Sequence, residues 1–260
     1  MSIGDWLDRQ REKKKHRTYR KHKKHIKTKF GQGEDRQRAV QYFTDLGKNG
    51  GYEGLLERFM VNVEPSIKDE DEKEYVYEIL VEFGQDVIPA IEAYLNRKDA
   101  AHIPITWPLK VLAAVAETKE AVRVIVDSLE KIGTSYTREP ERKVLLVSQL
   151  VEYDDPRVVP TLIPFLRDHR DEVQLEALAA LEKKADESAR EEMLKLLTEE
   201  DTPARIRSAI AETMKKLGLS VKGFRKKVED ILPDGLHVDR SGRIKGRWVH
   251  AMVESDDEES

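Results

Sequence analysis

Cysteine is absent from this 260-residue chain, which excludes a disulfide framework, a thiolate zinc site and a cysteine nucleophile. Long apolar runs are missing as well. None approaches the eighteen or so residues that span a bilayer, and the N-terminus lacks the apolar core of a signal peptide, so neither membrane insertion nor export is expected. Catalytic signatures are missing too: the chain contains no Gly-x-Ser-x-Gly, no His-Glu-x-x-His, no phosphate-binding loop and no His-Glu dipeptide of the kind that holds iron in some helical-repeat hydroxylases. Glycine and proline are sparse, at 14 and 10 residues, and 37% of the chain is charged against 39% hydrophobic. That balance suits an all-helical protein with a large exposed surface.

What the sequence does contain is a repeated helical phrase. Asp154-Asp155-Pro156 reads as a helix start, with Asp155 placed to cap free amides and Pro156 where a missing N–H costs nothing. Val159, Leu162, Ile163 and Leu166 then recur at helical spacing, so one face must lie against something. After the polar break Arg167 to Asp171 a longer helix carries Val173, Ala177, Leu178, Leu181 and Ala185 on one side. The phrase returns about thirty residues later, with Met193, Leu194 and Leu197 in the shorter helix and Ile206, Ile210, Met214 and Leu217 in the longer one before Gly218.

The run Asp155-Pro156-Arg157-Val158-Val159-Pro160-Thr161-Leu162, followed by Glu172-Val173-Gln174-Leu175-Glu176-Ala177-Leu178-Ala179-Ala180-Leu181, resembles HEAT repeats of the short bacterial type, also found in phycobilisome-lyase-like proteins. The resemblance implies a right-handed stack of antiparallel helix pairs that binds other macromolecules. It is strongest from Arg138 to Thr202, thinner back to Asp35 and absent at both ends.

Earlier parts of the chain carry the same alternation. Asp35 starts a helix with Ala39, Val40, Phe43 and Leu46 closed by Gly47, and Tyr52, Leu55, Leu56, Phe59 and Met60 form its partner. Pro65 to Lys73 reads as an acid-rich polar loop, followed by a helix with Tyr75, Val76, Ile79, Leu80 and Phe83. Val87-Ile88-Pro89 matches Val158-Val159-Pro160 in type and place, which ties both regions to one repeat series. Helices are expected at Ile105 to Glu117, with core Trp107, at Glu120 to Ile132 and at Arg138 to Tyr153. Beyond Gly218, Ser220 is expected to cap a helix carrying Val221, Phe224, Val228 and Ile231, and Leu236–Asp239 and Arg243–Trp248 to pair as a hairpin around Arg240-Ser241-Gly242.

Net charge is −4, yet it is strongly segregated: residues 9–29 carry twelve Lys or Arg against the single acid Glu12, while residues 30–260 carry thirty-four against forty-seven acids. The basic segment is expected to be disordered or a frayed helix when alone, because it repels itself and has no apolar face. Its cations Arg9, Arg11, Lys13, Lys14, Lys15, Arg17, Arg20, Lys21, Lys23, Lys24, Lys27 and Lys29 form a candidate polyanion site through phosphate neutralisation and counterion release. Arg240, Arg243, Lys245 and Arg247 with Trp248 make a second candidate basic patch. Two other readings of the arm stand beside nucleic acid. It can lie against the acidic body or tail, or Trp6 and Leu7 with the following lysines can make a weak contact with an anionic membrane over residues 3–29. His16, His22 and His25 sit among positive charges that repel a metal cation, so no metal site is expected there.

These observations together predict an all-α, right-handed α-solenoid of HEAT-like helix pairs with a small C-terminal β-hairpin. The expected divisions are a basic arm at 1–33, helical repeats at 34–232, a hairpin cap at 233–250 and an acidic tail at 251–260. The expected role is a cytoplasmic, non-catalytic scaffold or adaptor for a protein partner, without cofactor or metal. A nucleic-acid- or ribosome-associated factor using the basic arm is the alternative, and a phycobilin-lyase-like activity a second one.

Overall fold

The structure is a computed structural model that describes residues 3–30, 33–97, 102–233 and 235–246, with side chains from Trp6 onward. The fold class is all-α, built of HEAT-like helix pairs, with a small hairpin near the C-terminus. The chain divides into two compact units, residues 1–132 and 133–260.

The first unit holds α1 (Ile3–His25), α2 (Gly33–Leu46), α3 (Gly51–Leu56), α4 (Ser66–Glu82), α5 (Ile88–Leu95), α6 (Thr106–Val115) and α7 (Thr118–Ile132). Close approach of α3 to α2 depends on two glycines: a Cβ on Gly54 would lie 2.1 Å from the Phe43 ring, and one on Gly51 would lie 2.1 Å from the Phe43 carbonyl oxygen. Phe43, Leu55 and Leu56 are fully buried there. Trp107 on α6 stacks parallel to Phe59 with centroids 5.7 Å apart, and the ammonium of Lys110 covers its ring at 4.3 Å. The α7 sequence turns Ala121, Val122, Val124, Ile125 and Leu129 into the core at helical spacing.

Three sequence expectations fail in this unit. The stretch Pro65 to Lys73, read as a polar loop, is the first half of α4. Asp69 and Lys73 are buried there by a paired network rather than solvated, which is why charge alone misled. Tyr75, assigned to the inward face, is 53% exposed, because the helix turns Val76, Ile79 and Leu80 inward instead. Residues 3–25, expected to be disordered or frayed, form one continuous helix whose later turns pack on α2.

The second unit holds α8 (Glu141–Leu150), α9 (Val158–Leu162), α10 (Asp171–Lys184), α11 (Arg190–Leu197), α12 (Ala204–Leu217) and α13 (Arg225–Glu229), then strands β1 (Leu236–Val238) and β2 (Ile244–Gly246). Helices α8, α10 and α12 pack in succession, and α9, with its 3-10 continuation to Arg167, packs with α11 beside them. On α10 Val173, Ala177, Leu178 and Leu181 are buried as the periodicity predicts, together with Ala180, whereas Ala185, assigned to the same face, is the exposed residue that ends the helix. Polar ties repeat the apolar period: Lys183 donates to Glu152 at 2.6 Å, and Thr213 donates to Glu182 at 3.2 Å, each across thirty-one residues. Arg167 likewise reaches forward to Glu192 on α11 and to Glu199 just after it. α10 stops at Ala185 in the left-handed conformation and α12 at Gly218 with φ 65°, the usual geometry of a helix C-terminus.

The terminal helix differs from expectation. Gly223, at φ 92°, breaks the backbone, so α13 covers only five residues and Ser220 does not cap it. Ser220 instead bridges to Arg243, and the Val221 N–H donates to the Gly242 carbonyl at 2.7 Å, fastening this loop to the hairpin. β1 and β2 pair antiparallel with Val238 opposite Ile244, and Gly242 supplies the left-handed turn residue at φ 78°. β2 lies against α12.

Candidate polyanion-binding helix

The basic segment folds as the later part of α1, and its surroundings decide what each cation can do. Tyr19 packs edge-on against Phe43 and donates to the Gly50 carbonyl at 3.1 Å. His22 stacks on Tyr42 with centroids 4.2 Å apart and planes 16° from parallel. Burial, with His25 and Lys21 nearby, lowers the His22 pKa and favours the neutral ring. One turn on, Ile26 is fully buried. These residues recur at three- and four-residue intervals, so a single face of α1 is docked.

Glu57 sits beneath that face, 2% exposed. Lys27 Nζ lies 2.7 Å from its Oε2, Lys23 Nζ 3.0 Å from its Oε1, and Arg97 Nη1 2.8 Å from the same Oε1. Burial pushes the Glu57 carboxyl up, but Lys27 and Lys23 outweigh it and hold the group below the ordinary carboxylate range. Two of the twelve candidate cations are therefore committed to an internal contact. Arg11 and Lys15 pair along the helix with Asp8 and Glu12, both fully on the surface, where such pairs contribute little.

The rest face outward. Arg9, Lys13, Lys14, Arg17, Arg20, Lys21, Lys24 and Lys29 are all exposed. Lys13, Arg17, Arg20, Lys21 and Lys24 have no carboxylate partner among the described residues. Trp6 and Leu7 on the first turns are 54% and 44% exposed, so they are not tucked onto the body. Between α1 and the end of α2 runs an open groove of about 930 Å³, whose lining includes Lys14, Lys15, His16, Tyr19, Tyr42 and Leu46.

In the second candidate patch Arg240, Arg243 and Lys245 are exposed around the hairpin, where the Arg243 N–H donates to Asp239 at 3.0 Å. Arg247 and Trp248, together with the acidic tail at 251–260, lie outside the described residues.

Sequence reasoning missed a buried charge network behind the docked helix. Arg58, fully buried, donates to Asp69 at 2.7 Å, to Glu72 at 3.1 Å and to the Val61 carbonyl at 3.0 Å. Arg36 makes a two-pronged contact with the same Glu72 at 2.7 and 2.8 Å and donates to the Thr28 carbonyl just past α1. Lys73 completes the set, 2.6 Å from both Asp69 and Asn62. The available signal was the helical spacing of Arg36 with Ala39, Val40 and Phe43; Asp69 and Lys73 gave none, because their stretch reads as a polar loop. Among the described residues no group of three or more His, Cys, Asp or Glu is arranged to hold a metal ion, and no helix is long and apolar enough to cross a membrane.

Comparison with known proteins bears on the second unit. Residues 137–215 and 159–252 match the description "HEAT repeats". No curated protein and no solved structure matches the chain at a significant level. The segment from 137 to 252 thus carries HEAT repeats, in agreement with helices that succeed each other at a thirty-one-residue period.

Proposed function

We propose that the protein is a non-catalytic scaffold that binds a protein partner through the exposed side of its stacked repeat helices. One observation supports this most: in the repeat segment α8, α10 and α12 bury one apolar face each against neighbouring helices, while charged side chains stand exposed on the outer side of α10 and α12. That surface includes Glu172 and Lys183 on α10 and Arg205 and Lys216 on α12, all exposed on adjacent helices. Stacked repeats turn local helix packing into an extended binding surface, and terminal units cover the last apolar edge. In this reading the β1–β2 hairpin against α12 is the cap. A kinship with phycobilisome-lyase-like proteins remains the finer version of the same resemblance, carried by residues that shape helices rather than by any reactive group.

The test is affinity capture with the full chain and with a charge-reversed variant, Glu172→Lys, Lys183→Glu and Arg205→Glu. The reading predicts specific proteins retained by the parent and lost by the variant at unchanged thermal stability. Retention of the same set by both, or of none by the parent, contradicts it.

A further inference from the structure

The docked and exposed faces of α1 divide its charge in a way that composition does not reveal. On an α-helix residues three and four apart share a face. Arg9, Lys13, Arg17, Arg20 and Lys24 follow one another at intervals of four, four, three and four, with Trp6 three residues before them and Lys21 beside Arg20. This row lies opposite the docked residues Tyr19, His22 and Lys23. The acids Asp8 and Glu12 fall off the row, on the side that later docks, where they pair with Arg11 and Lys15. The outward face is thus a straight line of cations uninterrupted by any acid, about 27 Å long from Trp6 to Lys24 at 1.5 Å per residue.

We propose that this face of α1 is a binding rail for the phosphate backbone of duplex nucleic acid, engaged without base recognition. Three physical points favour that occupant. The docking of Tyr19, His22 and Ile26 holds the later turns of the helix by their opposite side, so Arg20 and Lys24 are ordered before any ligand arrives and little entropy is lost in aligning them. A regular duplex presents about eight phosphates per strand over 27 Å, enough to meet every cation in the row. An anionic membrane fits less well, because in-plane insertion needs an apolar face over several turns, and past Leu7 the one large apolar side chain of α1, Tyr19, packs on Phe43 of α2. The proposal is independent of the protein-scaffold reading.

Fluorescence anisotropy with the full-length protein tests it. The probes are a labelled 24-base-pair RNA duplex, the DNA duplex of the same sequence, and a DNA duplex of unrelated sequence, titrated between 50 and 200 mM salt. Five phosphate contacts predict a log–log salt slope of about −4.5, and hence an affinity loss of about 500-fold over that range. The two DNA sequences are expected to bind within about threefold of each other. The variant Lys13→Glu, Arg17→Glu, Arg20→Glu, Lys24→Glu is expected to lose at least about 100-fold at 50 mM salt, and its melting temperature and helicity should match the parent because all four side chains are exposed. Reversal of Arg240, Arg243 and Lys245 is expected to change affinity by less than about threefold. The idea is overturned if the parent shows no binding at 50 mM salt, if the four-residue variant binds like the parent, or if vesicles containing phosphatidylserine are bound while the duplexes are not.

Discussion

Lys143 Nζ lies 2.6 Å from Asp168 Oδ2, and the two side chains are 1% and 0% exposed. Lys143 also donates to the Ser135 carbonyl at 2.7 Å, while Asp168 accepts from the Arg170 N–H at 3.0 Å and its carbonyl takes the Gln174 amide at 2.7 Å. The pair joins α8 to the turn that launches α10, and it sets which side of α8 faces inward: Lys143, Leu146, Val147 and Leu150 are buried, while Val144 and Leu145 are only partly covered. Removing one partner leaves an uncompensated charge inside. Asp168→Ala is therefore expected to destabilise the second unit by about 3–5 kcal/mol, while Lys143→Met combined with Asp168→Leu recovers part of the loss. Urea unfolding of the three variants, followed by circular dichroism, checks this.

The legibility of the chain divides along the same line. Apolar positions with a clear helical period, such as Val173, Ala177, Leu178 and Leu181 on α10, are buried as read, because an apolar side chain has one thermodynamic preference. Charged positions have two. Asp69, Lys73, Lys143 and Asp168 look like surface residues in sequence and lie inside because each meets a partner of opposite sign. The same ambiguity affects the candidate site: the sequence presents twelve equivalent cations, and only Glu57, twenty-eight residues beyond Lys29, distinguishes Lys23 and Lys27 from the others. The hairpin was legible from Gly242 and the flanking alternation. The short α13 was not, because Gly223 gives no sign in sequence that its φ is positive.

Acid should weaken the first unit through its carboxylates. Burial pushes Asp69, Glu72 and Glu57 up, yet Lys73 and Arg58, Arg36 and Arg58, and Lys27 and Lys23 respectively outweigh it, and all three end below the usual range. A carboxyl with a folded pKa below its unfolded one contributes stability that is complete above about pH 5 and is lost as pH falls through the lowered values. The melting temperature is expected to be flat above about pH 7, to fall slightly below it as the unfolded chain protonates His22, and to drop more steeply below about pH 4. Asp69→Asn should melt lower at pH 7 and lose less on acidification. An unchanged slope in that variant contradicts the assignment.

Packing of α3 on α2 leaves no room at Gly54, where a Cβ would meet the Phe43 ring at 2.1 Å. Gly54→Ala is expected to cost about 1–3 kcal/mol by overpacking. Combining it with Phe43→Leu should recover part of that loss, since the obstructing ring is gone. Denaturant midpoints of the single and double variants decide the matter.

Glu57→Gln removes the one anion that Lys23, Lys27 and Arg97 share. It is expected to cost about 1–3 kcal/mol and to loosen the later turns of α1 without unfolding α2. Tryptic cleavage after Lys23 and Lys27, slow in the parent, should accelerate in the variant. Equal cleavage rates would show that Glu57 does not hold the helix.

Amide hydrogen exchange along α1 tests most directly the division of the basic segment into a docked face and an exposed rail. Residues 19–26, packed on Phe43, Tyr42 and Glu57, are predicted to be protected to the same degree as α2. Residues 6–16, exposed throughout, are predicted to exchange markedly faster. Uniform rapid exchange from residue 6 through His25 would mean that the basic segment is not docked at all, and would contradict the account.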